Sequence, residues 1–190
     1  TKEKKSMIEK ILHPRNMTKA YYKVVSNKGS AGIDGMTVYE LSSFREANRV
    51  KLVTDILNWQ YNFQAIRGVE IPKSNGKTRL LGVPTVVERW LQQAVSQQLS
   101  AKFELNFEEE SYGFRPQRNL HKAIQKSLKH INDGYQDIVD IDLQSFFDEV
   151  PHYKLLQLIY HKVKCRTTLW LIRKWLRVPI LINGKLHKHR

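Results

Sequence analysis

Residues 67–85, RGVEIPKSNGKTRLLGVPT, break the pattern of the chain around them. Val69 and Ile71 alternate with Gly68 and Glu70, the period of a strand rather than of a helix. The SNGK stretch supplies turn chemistry, and TRLLGV resumes an extended run. An Asn-Gly pair between two such runs is a hairpin signal, because both residues accept the backbone that a tight turn demands. The stretch therefore predicts a β-hairpin with Asn75-Gly76 at its tip. VPILI-NG-KLHKH, near the end of the chain, repeats the signal.

Most of the remaining chain reads as helix. Met17, Tyr21, Val24 and Val25 recur at helical intervals in NMTKAYYKVVSNKG and stop at Gly29. VYELSSFREANRVKLVTDILNWQ is helical again. Val87, Leu91, Ala94, Val95 and Leu99 mark the apolar stripe of a long amphipathic helix. LHKAIQKSLKHIN is a further helix ending near Gly134, and HYKLLQLIYHKV and TTLWLIRKWL are two more. QDIVDIDL reads as a buried strand. Helices interrupted by hairpins predict an α+β fold rather than a doubly wound sheet.

The 190 residues, 41% of them hydrophobic, are enough for a packed core. Lys and Arg number 32 against 18 Asp and Glu, a formal net charge of +14, which favours a polyanionic partner such as nucleic acid. The charge is uneven. The last acid is Glu149, and ten Lys and Arg follow it, interleaved with apolar runs that suit a folded segment rather than a solvated tail. Cys165 is the single cysteine, which excludes an internal disulfide and a cysteine-based zinc site. No apolar run approaches the ~18 residues of a membrane span. The start, TKEKKSMIEK, lacks the apolar core of a signal peptide, so a cytoplasmic location is expected. The histidines form no pair with metal-ligand spacing.

Four segments carry candidate chemistry, each with a plainer alternative. Lys73, Lys77 and Arg79 surround the first hairpin tip and could grip phosphates, or could be ordinary solvated side chains. The loop GSAGIDGMT, with Gly32 and Gly35, could approach a phosphate closely, but it lacks the Gly-Lys-Ser/Thr of a P-loop. SYGFRPQRN places Tyr112, Phe114, Arg115 and Arg118 at a helix entrance, where they could stack on bases and hold phosphates. Phe114 reads better as packed in a core, and Arg115 could equally be a structural ion-pair partner.

In DIVDIDL, period-2 geometry sets Val139, Ile141 and Leu143 on one face and Ile138, Asp140 and Asp142 on the other. The two acids would lie ~6–7 Å apart along a strand. Such a pair could hold Mg²⁺ for phosphoryl transfer. Spacing alone does not choose between the acids, and unrelated Asp-x-Asp metal enzymes share the pattern.

Taken in order, NKGSAGIDGMTVYEL, IPKSNGKTRLLGVPTVVERWLQQAV, SYGFRPQRNLHKAI and VDIDLQSFFDEVPH resemble the reverse transcriptase domain of group II intron-encoded proteins, the intron maturases. The first looks like the N-terminal motif those enzymes add, the next two like the first shared motifs, and the last like the motif bearing the first metal aspartate. The resemblance implies the fingers and partial palm of a right-hand polymerase, in one incomplete domain. About 1–84 and 151–190 would be fingers and about 85–150 the opening of the palm. It also implies RNA-templated DNA synthesis with Mg²⁺, on an intron RNA template, a DNA primer and dNTPs, without a membrane. A homodimer is left open.

Residue by residue, the resemblance makes Asp142 the metal-binding aspartate, with the Leu143 carbonyl beside the metal. Phe146 falls on the aromatic that blocks a ribose 2′-OH, and Lys73 and Arg79 on the pair that holds the incoming triphosphate. Gly32, Gly35, Lys77, Arg115 and Arg118 would lie near template or primer. Asp140 is demoted to a neighbour, Asp148 to a structural role, and Phe147 is expected to pack into the palm. The Tyr-Ala-Asp-Asp turn with the remaining metal carboxylates, and the Pro-Gln-Gly motif before it, do not occur here. The expectation is an N-terminal fragment that binds RNA but does not polymerise. The alternatives are an intron-RNA-binding splicing module, or a related bacterial reverse transcriptase of retron-like, CRISPR-associated or diversity-generating type.

Overall fold

A computed structural model describes residues 5–72, 74 and 76–188. The chain divides into two compact units. One comprises the chain up to Gln98 together with Pro151 onward, and the other is Leu99–Val150.

The first unit begins with α1 (Met7–Ile11) and α2 (Pro14–Ser26). Ser6 and Glu9 form a reciprocal capping box on α1: Glu9 N donates to Ser6 Oγ at 3.4 Å and Ser6 N to the Glu9 carboxylate at 2.6 Å. Pro14 opens α2, where its missing N–H costs nothing. α3 (Leu41–Leu57) follows the glycine loop. The hairpin comes next, β1 (Ile66–Pro72) with β2 (Thr78–Val83), antiparallel from Arg67↔Val83 to Pro72↔Thr78.

α4 (Val86–Phe103) turns its stripe inward, burying Val87, Leu91, Ala94 and Val95, with Trp90 fully covered beside them. Ile11, Leu41 and Ile56 are fully covered as well. Burying each Val, Leu or Ile side chain in this way is worth ~1.5–3 kcal/mol. Asn16 is a buried polar tie. Its Nδ2 donates to the carbonyls of Ile11 and Ala94 at 2.8 and 3.0 Å, and its Oδ1 accepts from Gln97 and Gln98 at 2.9 and 2.7 Å.

The basic segment after Glu149 is folded, as its apolar interleaving predicts. It forms α7 (His152–Val163), α8 (Arg166–Trp175), β3 (Ile180–Ile182) and β4 (Lys185–His187). β3 pairs parallel with β1, giving the sheet order β2-β1-β3-β4. Asn183 and Gly184 turn the second hairpin at φ 48° and 76°, the left-handed pair that a two-residue turn of this type requires. Among the described residues, no helix is long and apolar enough to cross a membrane.

The second unit contains the end of α4, a 3₁₀ turn at Glu104–Asn106, α5 (Leu120–Asn132) and the short α6 (Phe146–Glu149). Asn119 caps α5, its Oδ1 accepting from Lys122 N at 3.0 Å. Three expectations fail in this unit. QDIVDIDL is not a buried strand: it pairs with no strand among the described residues, and Ile138, Val139, Ile141 and Leu143 are exposed. A strand requires a partner for its backbone groups, and local alternation cannot supply one. Phe114 is fully exposed rather than packed, on a left-handed backbone at φ 54°. Phe147 does not pack either. The chain coils into α6 instead of staying extended, so the two rings touch, centroids 5.8 Å apart.

Candidate nucleotide and nucleic-acid sites

Lys73 and Asn75 lie outside the described residues. Arg79 is exposed on β2 opposite Ile71, and Lys77 is exposed in the turn that leads into that strand. The hairpin therefore presents Arg79 from a paired strand, whose register limits where the guanidinium can reach.

The glycine loop is clamped onto the start of α4. Arg89 donates from Nη2 to the Ser30 carbonyl at 2.7 Å, while its Nε is buried without a partner. Burial pulls the Arg89 guanidinium below its usual range, and Asp34 opposes that. Gly32 lies flat against Thr85: a Cβ there would come within 2.6 Å of the Thr85 Cα. That contact is a reason for glycine that needs no ligand. Gly35 is exposed at φ 72°, in a turn where Asp34 Oδ1 accepts from Met36 N at 3.2 Å.

Arg115 is committed inside its own unit. It forms a two-pronged pair with Glu104, from Nε at 3.2 Å and Nη2 at 3.0 Å, and donates from Nη1 to the carbonyls of Glu108 and Ser111 at 2.5 and 2.8 Å. Its side chain is only 7% exposed. Arg118 donates to the Glu109 carbonyl at 2.6 Å and lies over the Tyr112 ring. The two arginines thus hold the 104–119 loop in shape, and Phe114 projects from that loop.

Asp140, Asp142 and Leu143 are exposed on the unpaired stretch ahead of α6. Ser145, at φ 50°, reverses the backbone so that Phe146 opens the helical turn three residues after Leu143. Phe146 is 52% exposed and Phe147 87%, so the first ring is the more covered of the two. Among the described residues, no group of three His, Cys, Asp or Glu gathers as a metal site. Asp142 with one backbone carbonyl does not by itself fit a two-ion centre, which takes several carboxylate oxygens.

Sequence reasoning passed over Glu88. Buried in the first turn of α4, it accepts from Trp175 Nε1, the Tyr61 hydroxyl and Gln64 N at 2.5, 3.0 and 3.3 Å. Thr85, three residues ahead, takes the Glu88 N–H on its Oγ1 at 3.3 Å. The T-x-x-E spelling was the available signal, although this glutamate points into the fold rather than back to the cap.

Residues 71–190 match the reverse transcriptase (RNA-dependent DNA polymerase) family, and the chain belongs to that family. It is 35% identical over 179 residues to the group II intron-encoded protein LtrA of Lactococcus lactis subsp. cremoris, covering 94% of this chain and 30% of LtrA. It is 32% identical over 174 residues to the protein YkfC of Escherichia coli K12, covering 86% of this chain and 45% of YkfC. The chain thus spans less than half the length of either relative. A Cas6-RT-Cas1–Cas2 complex contains a chain that superposes with a TM-score of 0.61 at 20% identity, over 96% of this chain and 30% of that one. The fold is α+β, the fingers and partial palm of a reverse transcriptase. The resemblance to group II intron-encoded enzymes, read from the ordered motifs, is borne out by the LtrA match.

Proposed function

We propose that the chain supplies the fingers and the opening of the palm of an RNA-directed DNA polymerase of the group II intron-encoded type. The observation that carries this reading is the 35% identity to LtrA across 94% of the chain. In this reading about 1–84 and 151–190, which carry the four-stranded sheet, are fingers, and about 85–150 is the opening of the palm. Asp142 contributes one carboxylate toward Mg²⁺, with the Leu143 carbonyl beside it. Phe146 stands against the sugar of the incoming dNTP, and Lys73 and Arg79 hold its triphosphate. Gly35 and Lys77 face template or primer. Gly32, Arg115 and Arg118 act there chiefly by shaping the backbone, because their contacts are internal.

The net charge of +14 supports binding of an intron RNA, and work on RNA and dNTPs fits the cytoplasm. The lone Asp142 supports the view that these 190 residues bind RNA without polymerising, the missing acids coming from elsewhere in a longer protein. Primer extension on an RNA template by the purified chain tests this directly: no cDNA is expected, and robust extension would refute it. In a longer protein that carries the rest of the palm, Asp142→Ala removes cDNA synthesis and leaves RNA binding and splicing. Unchanged synthesis would shift the reading to an RNA-binding splicing module.

A further inference from the structure

The first unit contains a cleft of about 530 Å³ between the segment ahead of β1 and the C-terminal end of α8. Its lining includes Tyr61, Phe63 and Trp170 together with Arg173, Lys174 and Arg177. The aromatic side chains are braced by their neighbours. Trp59 stacks on Trp170, rings 5.8 Å apart and 13° from parallel. Phe63 meets Trp170 and Trp175 edge to face at 5.3 and 6.2 Å. Trp59 Nε1 donates to Thr167 Oγ1 at 3.1 Å, and Tyr61 and Trp175 both donate to Glu88. The rings are therefore held in place before any ligand arrives.

Arg173, Lys174 and Arg177 are exposed, and none of the ion pairs among the described residues uses them. No acid follows Glu149 in the sequence to neutralise them. The C-terminal dipole of α8 gives Arg173 and Lys174 a modest favourable field. It does not account for Arg177, which lies beyond the helix, or for the aromatic side chains that line the same cleft.

Braced rings sharing a cleft with exposed cations match a ligand that carries flat faces on a chain of negative charges. Base–aromatic stacking with phosphates on Lys and Arg is the physics of single-strand binding. The cleft lies within the usual ~300–1,000 Å³ of a ligand pocket. We propose that it binds a single-stranded segment of nucleic acid, its bases against Tyr61, Phe63 and Trp170 and its phosphates on Arg173, Lys174 and Arg177. The site is built from residues other than Lys73, Arg79, Asp142 and Phe146, and does not depend on their assignment.

The test uses the whole chain and fluorescein-labelled uridine oligonucleotides of about 12 residues, as RNA and as DNA. Anisotropy is read at roughly 0.15 M salt. A triple reversal, R173E/K174E/R177E, is compared with a reversal of three other exposed cations, K10E/R15E/K19E, which line a surface hollow without Phe, Tyr or Trp. The cleft variant is expected to bind at least about tenfold more weakly than the control variant, a difference of ~1.4 kcal/mol. R173Q/K174Q/R177Q should weaken binding in the same order, and 4-thiouridine RNA should cross-link to Tyr61, Phe63 or Trp170. Equal losses in the two reversals, or cross-links confined to other segments, would overturn the proposal. Tighter binding of RNA assigns the cleft to RNA, and equal binding assigns it to either strand. Because the readout is binding rather than synthesis, failure here is separable from failure of the polymerase reading.

Discussion

Trp175 Nε1 donates to the Glu88 carboxylate at 2.5 Å, tying the last turn of α8 to the first turn of α4. The two residues stand 87 positions apart in sequence. The Tyr61 hydroxyl joins the same carboxylate, so three segments of the first unit meet on one buried acid that is 2% exposed.

Burial pushes the Glu88 carboxyl above its usual range, against the lowering effect of the hydrogen bonds from Trp175, Gln64 and Tyr61. A raised folded-state value means that the native state holds the proton more tightly than the unfolded chain. Stability from this group is therefore complete below the unfolded value of ~4.3 and is lost as pH rises through the folded one. Urea unfolding across roughly pH 4–8 should show the wild type losing stability relative to Glu88→Gln as pH rises. Glu9 and Glu40, lowered by hydrogen bonds from Ser6 and Thr37, act in the opposite sense but cancel in that difference. A pH-independent difference would contradict the account.

Asn16→Leu should destabilise the first unit. It would leave the carbonyls of Ile11 and Ala94 and the amides of Gln97 and Gln98 without their shared partner. The expected loss is about 1–3 kcal/mol. Thermal melts should move down by ~2–4 °C per kcal/mol for a chain of this size. An unchanged melting temperature would show that water replaces the network without cost.

Gly32→Ala should cost ~1–3 kcal/mol, because the new methyl would meet backbone rather than a flexible tip. The nearest atoms are the Thr85 Cα and N, at 2.6 and 2.7 Å. Gly113→Ala is the control: its methyl meets nothing within 4 Å. It should stay within about 0.5 kcal/mol of wild type. Equal effects of the two substitutions in chemical denaturation would mean that the loop yields at Thr85.

Arg115→Lys should loosen the 104–119 loop, since an ammonium cannot span Glu104 and the carbonyls of Glu108 and Ser111 with a planar fork. Hydrogen exchange should speed up across that loop in the absence of nucleic acid. Unchanged protection combined with weaker RNA binding would assign Arg115 to the ligand instead.

RNA affinity should fall steeply with salt. A strand engaging several phosphates releases counterions with a slope of ~−0.7 per contact. Anisotropy titrations between about 50 and 200 mM salt should show a drop of at least tenfold. A flat profile would remove the electrostatic account of binding.

Both hairpins were legible in the sequence because strand alternation and turn residues act over a few positions; the Asn-Gly turn itself is seen at Asn183-Gly184, while Asn75 lies outside the described residues. The stripe of α4 was legible for the same kind of reason. Val87, Leu91, Ala94 and Val95 recur at the helical period, and all four are buried. The polymerase family was legible because ordered motifs record chemistry directly, whatever surrounds them.

Burial and partnership were decided by the tertiary structure, because they depend on segments far apart in the chain. Alternation in QDIVDIDL suits a strand, but a strand exists only where another backbone pairs with it, and none of the described residues does. The rings of Phe114 and Phe147 suit a core, yet a left-handed residue and a helical turn leave them exposed. Gly32 and Arg115 stand in motifs that suggest a ligand, while their close contacts are with Thr85 and Glu104. The sequence alone determined the family that the ordered motifs point to and where much of the chain turns. Only the folded chain decided which polar groups are already satisfied internally, and which, such as Arg173, Lys174 and Arg177, stand exposed at a cleft with no ion pair among the described residues.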